Sequence, residues 1–172
     1  TGKALPTAIL TDHTMGDLDY SHSMSFISDD VDQLGKLFDP MNSRNEDFQK
    51  LSIWFSENAE MIGSQTGMMI AGTEQIPSNT FQTIYSIDVV DPMATKKAFS
   101  TLLKDSKKLL KEYNVELSLH RGLSGQDNGV NYYILASFKD YSAMVKAIKA
   151  MFSSNGFVTY SKATMNNVTV EV

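Results

Sequence analysis

Three histidines come first among residues that could do chemistry, because imidazole is the side chain whose ordinary pKa lets it exchange a proton near neutral pH. His22 sits in a run whose even positions are Tyr20, His22, Met24 and Phe26. An imidazole among aromatic and thioether groups on one face of a strand stands where a pocket histidine or a haem ligand would stand. The competing assignment is a core histidine bonded to backbone, the commoner fate of a buried polar group. Trp54, Phe55, Tyr85, Tyr132, Tyr133 and Tyr160 could line an apolar space between sheet and helices, with His22, Tyr85 and Tyr132 as its polar handles. Packing alone would use the same residues. His120 falls on the other parity of its strand, with Glu116 and Ser118, and precedes Arg121. It is expected at an exposed strand end, where His120 and Arg121 together could hold a small anion. His13 opens a polar loop.

Other chemistries lack their residues. No His-x-x-x-His or His/Glu spacing supports a zinc site, so no metal is expected. The chain has no Cys, which removes disulfides, thiol catalysis and cysteinyl metal clusters. No phosphate-binding loop, dinucleotide fingerprint or nucleophile elbow occurs. Asp12, Asp17 and Asp19 surround one loop and Asp29, Asp30 and Asp32 a helix start, but neither has the spacing of the twelve-residue calcium loop. Helix caps and the helix dipole account for the second trio. The ten Met are expected to fill irregular core space.

The elements that would position these residues follow from caps and periodicity. Asp91-Pro92 starts a helix expected to run to about residue 113, with Phe99, Leu102, Leu103, Leu109, Leu110 and Tyr113 on one stripe. Ser43 to Glu46 has the form of a capping box, followed by Phe48, Leu51, Trp54 or Phe55, Ala59 and Ile62 at helical spacing. Asp140 caps a third helix that Asn155-Gly156 is expected to stop, and a shorter one spans about 30–38. Strand patterns fall at 4–11, 20–28, 67–72, 81–90, 115–121, 130–138 and 157–165, with 168–172 as a tail. The segments 13–19 and 122–129 have the make-up of hairpin loops, and 73–79 that of a linker.

Residues 81–172 thus have the order of a split βαβ, ferredoxin-like unit. The run at 20–26 aligns with that at 132–138, so 1–78 is expected to be an incomplete copy and 79–172 a complete one. The fold class expected is α+β, with two tandem ferredoxin-like units in a barrel-like arrangement. The run Tyr85–Val90 and the junction Ser137-Phe138-Lys139-Asp140-Tyr141-Ser142-Ala143-Met144 resemble the dimeric α/β-barrel superfamily. That group includes quinol-type monooxygenases and haem-degrading enzymes. The resemblance implies a ligand site between sheet and helices, with haem among the cofactors it would allow, although no motif here supports one. Three functions stay open: binding of a small apolar or aromatic ligand, a cofactor-independent or haem-linked oxygenation with His22 as base or ligand, and assembly without a small-molecule site.

Composition bounds these readings. The 172 residues are 42% hydrophobic and 20% charged, the make-up of a soluble globular chain able to bury one sizeable core or two small ones. No apolar run reaches bilayer length, so no membrane partner is expected. The first residues, Thr1-Gly2-Lys3, suit either a removed leader or a start inside a longer protein, leaving cytoplasmic and exported locations both open. The net charge of −5 conceals an asymmetry: residues 1–91 hold four bases against fourteen acids, and 92–172 hold eleven against six. Most of the second half's Lys fit the solvated back of helices, and its single Arg argues against nucleic acid. Opposite charges on the two halves favour contact between them or between copies.

Overall fold

Five of the described helix starts are set by side chains that accept the otherwise unpaired amides of the first turn. In the computed structural model, which describes residues 6–12, 21–39, 44–60, 62–73, 81–124, 131–166 and 168–170, Asp30, Asn45, Asp91, Asp140 and Ser154 each cap a helix in this way. The expected box at Ser43 is replaced by Asn45, whose Oδ1 accepts from the amides of both Asp47 and Phe48. Ser43 itself, His13, Asp17, Asp19 and most of the three loop segments named above lie outside the described residues.

The chain divides into two units, Thr1–Ile62 and Gly63–Val172. In the first, β1 (Thr7–Asp12) and β2 (His22–Ile27) form an antiparallel pair in which Asp12 faces His22. Two helices follow, α1 (Val31–Phe38) and α2 (Glu46–Asn58). None of the described residues of this unit is buried.

The second unit contains β3 (Thr66–Gly72), β4 (Phe81–Val89), α3 (Pro92–Asp105), α4 (Lys107–Glu112), β5 (Glu116–Ser124), β6 (Tyr132–Phe138), α5 (Tyr141–Phe152), α6 (Asn155–Thr164) and β7 (Val168–Val170). Its sheet has the order β3-β5-β6-β4-β7, every neighbouring pair antiparallel. Ile87, Val89, Leu117, Leu119, Tyr132, Ala136 and Phe138 share one sheet face and pack with Phe99, Leu102, Leu110, Met144 and Ala147 of the helices. Phe99 and Leu119 are wholly shielded from solvent. Among the described residues no helix is long and apolar enough to cross a membrane.

This architecture corrects the expected one. The fold is α+β with two open sheets, one of two strands and one of five, and neither closes into a barrel. The resemblance to the dimeric α/β-barrel superfamily and the reading as tandem ferredoxin-like units in a barrel-like arrangement therefore fail. The decisive segment is β3, which pairs with β5 and leaves β1 and β2 only each other. A two-strand hairpin with two helices is not a reduced copy of the later unit.

Two local expectations also change. The strand expected at 157–165 is replaced by the helix Asn155–Thr164, because Ser154 Oγ accepts from the Phe157 amide, so Asn155-Gly156 opens a helix where a stop was expected. The helix packs on α3, with Tyr160 edge-on to Phe99 at a centroid distance of 6.2 Å. Gly156 makes this approach feasible: a Cβ there would lie 3.0 Å from Ser106 Oγ and 3.1 Å from Asp105 Cβ. The helix expected from 92 to 113 is interrupted at the buried Ser106, which ends α3 and begins α4, and Asn114 ends α4 at φ 50°. Urea unfolding should show Ser154→Ala destabilising by about 1 kcal/mol through loss of the cap. Gly156→Val should cost about 1–3 kcal/mol by overpacking against α3. A helix-free 155–164 segment would leave the Ser154→Ala variant at the stability of the parent.

Candidate functional site

Strand alternation sends Leu117 and Leu119 into the helix-covered core and points Glu116, Ser118, His120 and Gly122 at the opposite face of the sheet. On β6 the same alternation places Tyr133, Leu135 and Ser137 on that face, and the register sets His120 directly opposite Tyr133. Their rings stack almost parallel, with centroids 4.9 Å apart and planes inclined by 5°. His120 Nε2 lies 2.8 Å from Ser118 Oγ two residues back on its own strand. On β3, Met69 sits opposite His120.

Two glycines of β3 make room for this cluster. A Cβ on Gly67 would collide with the Tyr133 hydroxyl and come within 3.0 Å of its Cζ, so the phenol lies where any other residue at 67 would stand. A Cβ on Gly72 would lie 2.7 Å from Ser118 Cβ. Ser118, His120, Tyr133, Gly67 and Met69 thus form one contiguous site across β3, β5 and β6.

The electrostatics of the site are those of a neutral cluster. Burial disfavours the imidazolium and lowers the His120 pKa from 6.5 to about 4, and burial raises that of the Tyr133 phenol. Both groups are uncharged at neutral pH. An imidazole with a pKa near 4 is too weak a base to activate the Ser118 hydroxyl as a nucleophile at pH 7. What the arrangement can do is exchange hydrogen bonds with a neutral, flat ligand: whichever tautomer the Ser118 contact selects, Nδ1 has no hydrogen-bond partner among the described residues.

The residues singled out from sequence fall elsewhere. His22 is exposed on the β1–β2 pair, with Nδ1 2.8 Å from Ser21 Oγ and Nε2 3.6 Å from Asp12 Oδ1. Trp54 is exposed on α2 and meets Phe55 edge-on. Tyr132 is a core residue at 3% exposure, paired across the strands with Ile87, whereas Tyr85, two residues before Ile87, is half exposed. His22 and Trp54 belong to the first unit, Tyr85 and Tyr132 to the second. His120 and Arg121, adjacent on β5, point to opposite faces, and His120 is half-buried under a phenol ring rather than free at a strand end. Ser118 is the site residue that sequence reasoning passed over, and Tyr133, expected only as one of six pocket-lining aromatics, is instead the partner of His120. The signal available was the Ser118-x-His120 spacing, which puts a hydroxyl and an imidazole side by side on one strand face.

Neither described histidine fits an axial haem ligand. His22 lacks an apolar enclosure, and His120 has its Nε2 engaged by Ser118 and its ring face covered by Tyr133. Among the described residues no group of three or more His, Cys, Asp or Glu could hold a metal ion.

No family model matches the chain, and no curated protein matches it. Among solved structures it is similar to the crystal structure of a putative monooxygenase from Fusobacterium nucleatum subsp. nucleatum, with a TM-score of 0.54 and 16% sequence identity over 98% of this chain and 73% of that one. At that identity the likeness is one of fold alone.

The depressed His120 pKa has a stability consequence with a definite sign. Unfolding releases an imidazole that binds its proton near pH 6.5, so stability falls as pH drops from about 6.5 toward 4. The loss over that window reaches at most about 3 kcal/mol, since one proton bound only by the unfolded chain is worth about 1.4 kcal/mol for each pH step of one. His120→Phe should keep the stack and lose this slope. Urea midpoints at pH 7 and 4.5 that shift equally in both proteins would contradict the burial of His120.

Proposed function

We propose that the protein is a monooxygenase-type enzyme that works without a resident cofactor, with the Ser118–His120–Tyr133 face as its active site. The observation that carries the reading is the uncharged His120–Tyr133 stack with its free Nδ1, beside apolar Met69 and Leu135. The fold likeness to a putative monooxygenase supports the reaction type. The same face would serve simple binding of an aromatic ligand, so catalysis is the finer claim and turnover decides it.

In this mechanism a hydroxyaromatic substrate lies on the sheet and donates its hydroxyl hydrogen bond to His120, which enriches the ring in electrons. A substrate of this kind supplies all the electrons that oxygen needs. A ring CH2 becomes C=O, one oxygen atom of O2 enters the product, and the other leaves as water with the two hydrogens of the CH2. Ser118 holds the imidazole in one tautomer, and Tyr133 fixes its plane. Neutral groups suit the task, since a charged one would hold water at the place where the apolar ring must sit.

An oxygen electrode tests the proposal with a panel of hydroxyaromatic compounds that carry a ring CH2, such as hydroxylated anthrones. Consumption of one O2 per substrate is expected, with kcat/KM lower by about 10–100-fold in His120→Phe for the loss of one hydrogen bond to the reacting group. Ser118→Ala should change kcat more than KM, because it frees the imidazole tautomer without removing ring contacts. Turnover unaltered in His120→Phe would remove the site, and absence of oxygen uptake across the panel would remove the enzyme.

A further inference from the structure

The first unit poses a physical problem of its own. It has no buried residue among those described, its sheet has only two strands, and its helices are of eight and thirteen residues. Pairs of strands and helices this short are marginal in water unless an apolar face is covered. That face is identifiable. Phe48, Leu51, Trp54 and Phe55 recur at three- and four-residue intervals on α2, with Phe48 39%, Leu51 43% and Trp54 54% exposed. Phe48 and Leu51 continue into an open depression that Leu37 of α1 also lines. Acids rim the stripe: Glu46 and Asp47 at the start of α2 and Glu57 at its end. The whole first unit holds eleven acids against four bases, a net charge of −7.

The second unit presents the complement. Helices α3 to α6 bear nine Lys against Asp105 and Glu112, and none of these Lys makes an ion pair among the described residues. On α6, Val158, Lys162 and Met165 lie on one row, and on α5 Lys149 and Phe152 adjoin at three-residue spacing. Phe152 is 59% exposed, Val158 43% and Met165 74%. An exposed apolar strip rimmed by Lys faces outward here, as an exposed apolar strip rimmed by acids does on α2.

We infer that α2 of one copy docks on the α5–α6 face of a second copy, and the second copy's α2 on the first, closing a two-fold dimer. Phe48, Leu51, Trp54 and Phe55 cover Phe152 and Val158 of the other chain, and Glu57 and Asp47 meet Lys149 and Lys162. The exchange is reciprocal, so the assembly stops at two copies. A polyanion or an anionic membrane would satisfy the Lys layer alone and be repelled by the acidic unit. A second copy satisfies both surfaces. The inference does not rest on the proposed enzymatic activity.

Sedimentation equilibrium of the full chain, followed in parallel by the emission of Trp54, its single Trp, tests this. A dimer with a dissociation constant in the micromolar range is expected at low salt, at least about tenfold weaker in 0.5 M NaCl. The Trp54 emission should shift to the blue with the same midpoint. The exposed pair Lys149→Glu/Lys162→Glu should weaken association by about tenfold or more, and adding Asp47→Lys/Glu57→Lys should recover much of the loss. Circular dichroism confirms that each variant stays folded. A monomer up to about 100 µM, a dimer indifferent to charge reversal, or a Trp54 signal that ignores concentration would each overturn the inference. So would a monomer that instead takes up heparin or anionic vesicles through the same Lys.

Discussion

The pairing of β5 with β6 is the constraint on which the second unit rests, because each strand has to satisfy two environments at once. One parity of β5 carries Leu117 and Leu119 against Phe99 and Leu102, and any slip of one residue would exchange them for Ser118 and His120. Burying those polar groups against the helices would leave them without partners, so the register is held by the cost of the alternative as much as by the gain. The same register sets His120 opposite Tyr133. The candidate site is therefore a by-product of core packing: what the core refuses on β5 and β6 is presented together on the other face.

The two units differ sharply in how much apolar surface they bury. The second has a core of residues drawn from both sheet and helices, with Ile87, Phe99 and Leu119 essentially inaccessible. The first has capped helices and a regular antiparallel strand pair but no buried side chain among those described. Caps and hydrogen bonds define where elements begin, and they contribute little net free energy compared with apolar burial. A segment built only from such local signals takes its persistence from whatever covers its apolar side.

Much of the local structure was legible in the sequence. The starts at Asp91 and Asp140 are as the acid-cap chemistry requires, and the strands at 81–89, 116–124 and 132–138 follow alternation and β-branched content. Legibility failed where two local rules competed or where partners were remote. Asn155-Gly156 satisfies the rule for a helix stop, yet Ser154 just before it satisfies the rule for a start, and burial of Tyr160 against Phe99 decides between them. Strand 66–72 could pair with either unit by its own pattern. Its assignment to β5 depends on Gly67 and Gly72 clearing space for Tyr133 and Ser118, a fit between residues remote in sequence that periodicity does not encode. The barrel expectation failed for the same reason, since closure is a property of edges and not of any single strand.

The site residues show the same limit from the chemical side. Parity places His120 with Ser118 in the sequence, but its character comes from burial on the sheet face, where it stacks on Tyr133 and loses the water that would otherwise stabilise an imidazolium. With that water gone, the imidazole is neutral and the neighbouring phenol is held in its protonated form. A cation there would have favoured anions and drawn Arg121 into the argument. A neutral pair instead favours flat, uncharged partners, and Arg121 lies on the other side of the strand. The difference between an anion site and an aromatic one thus turns on the burial of one imidazole, set between two strands whose register the core had already fixed.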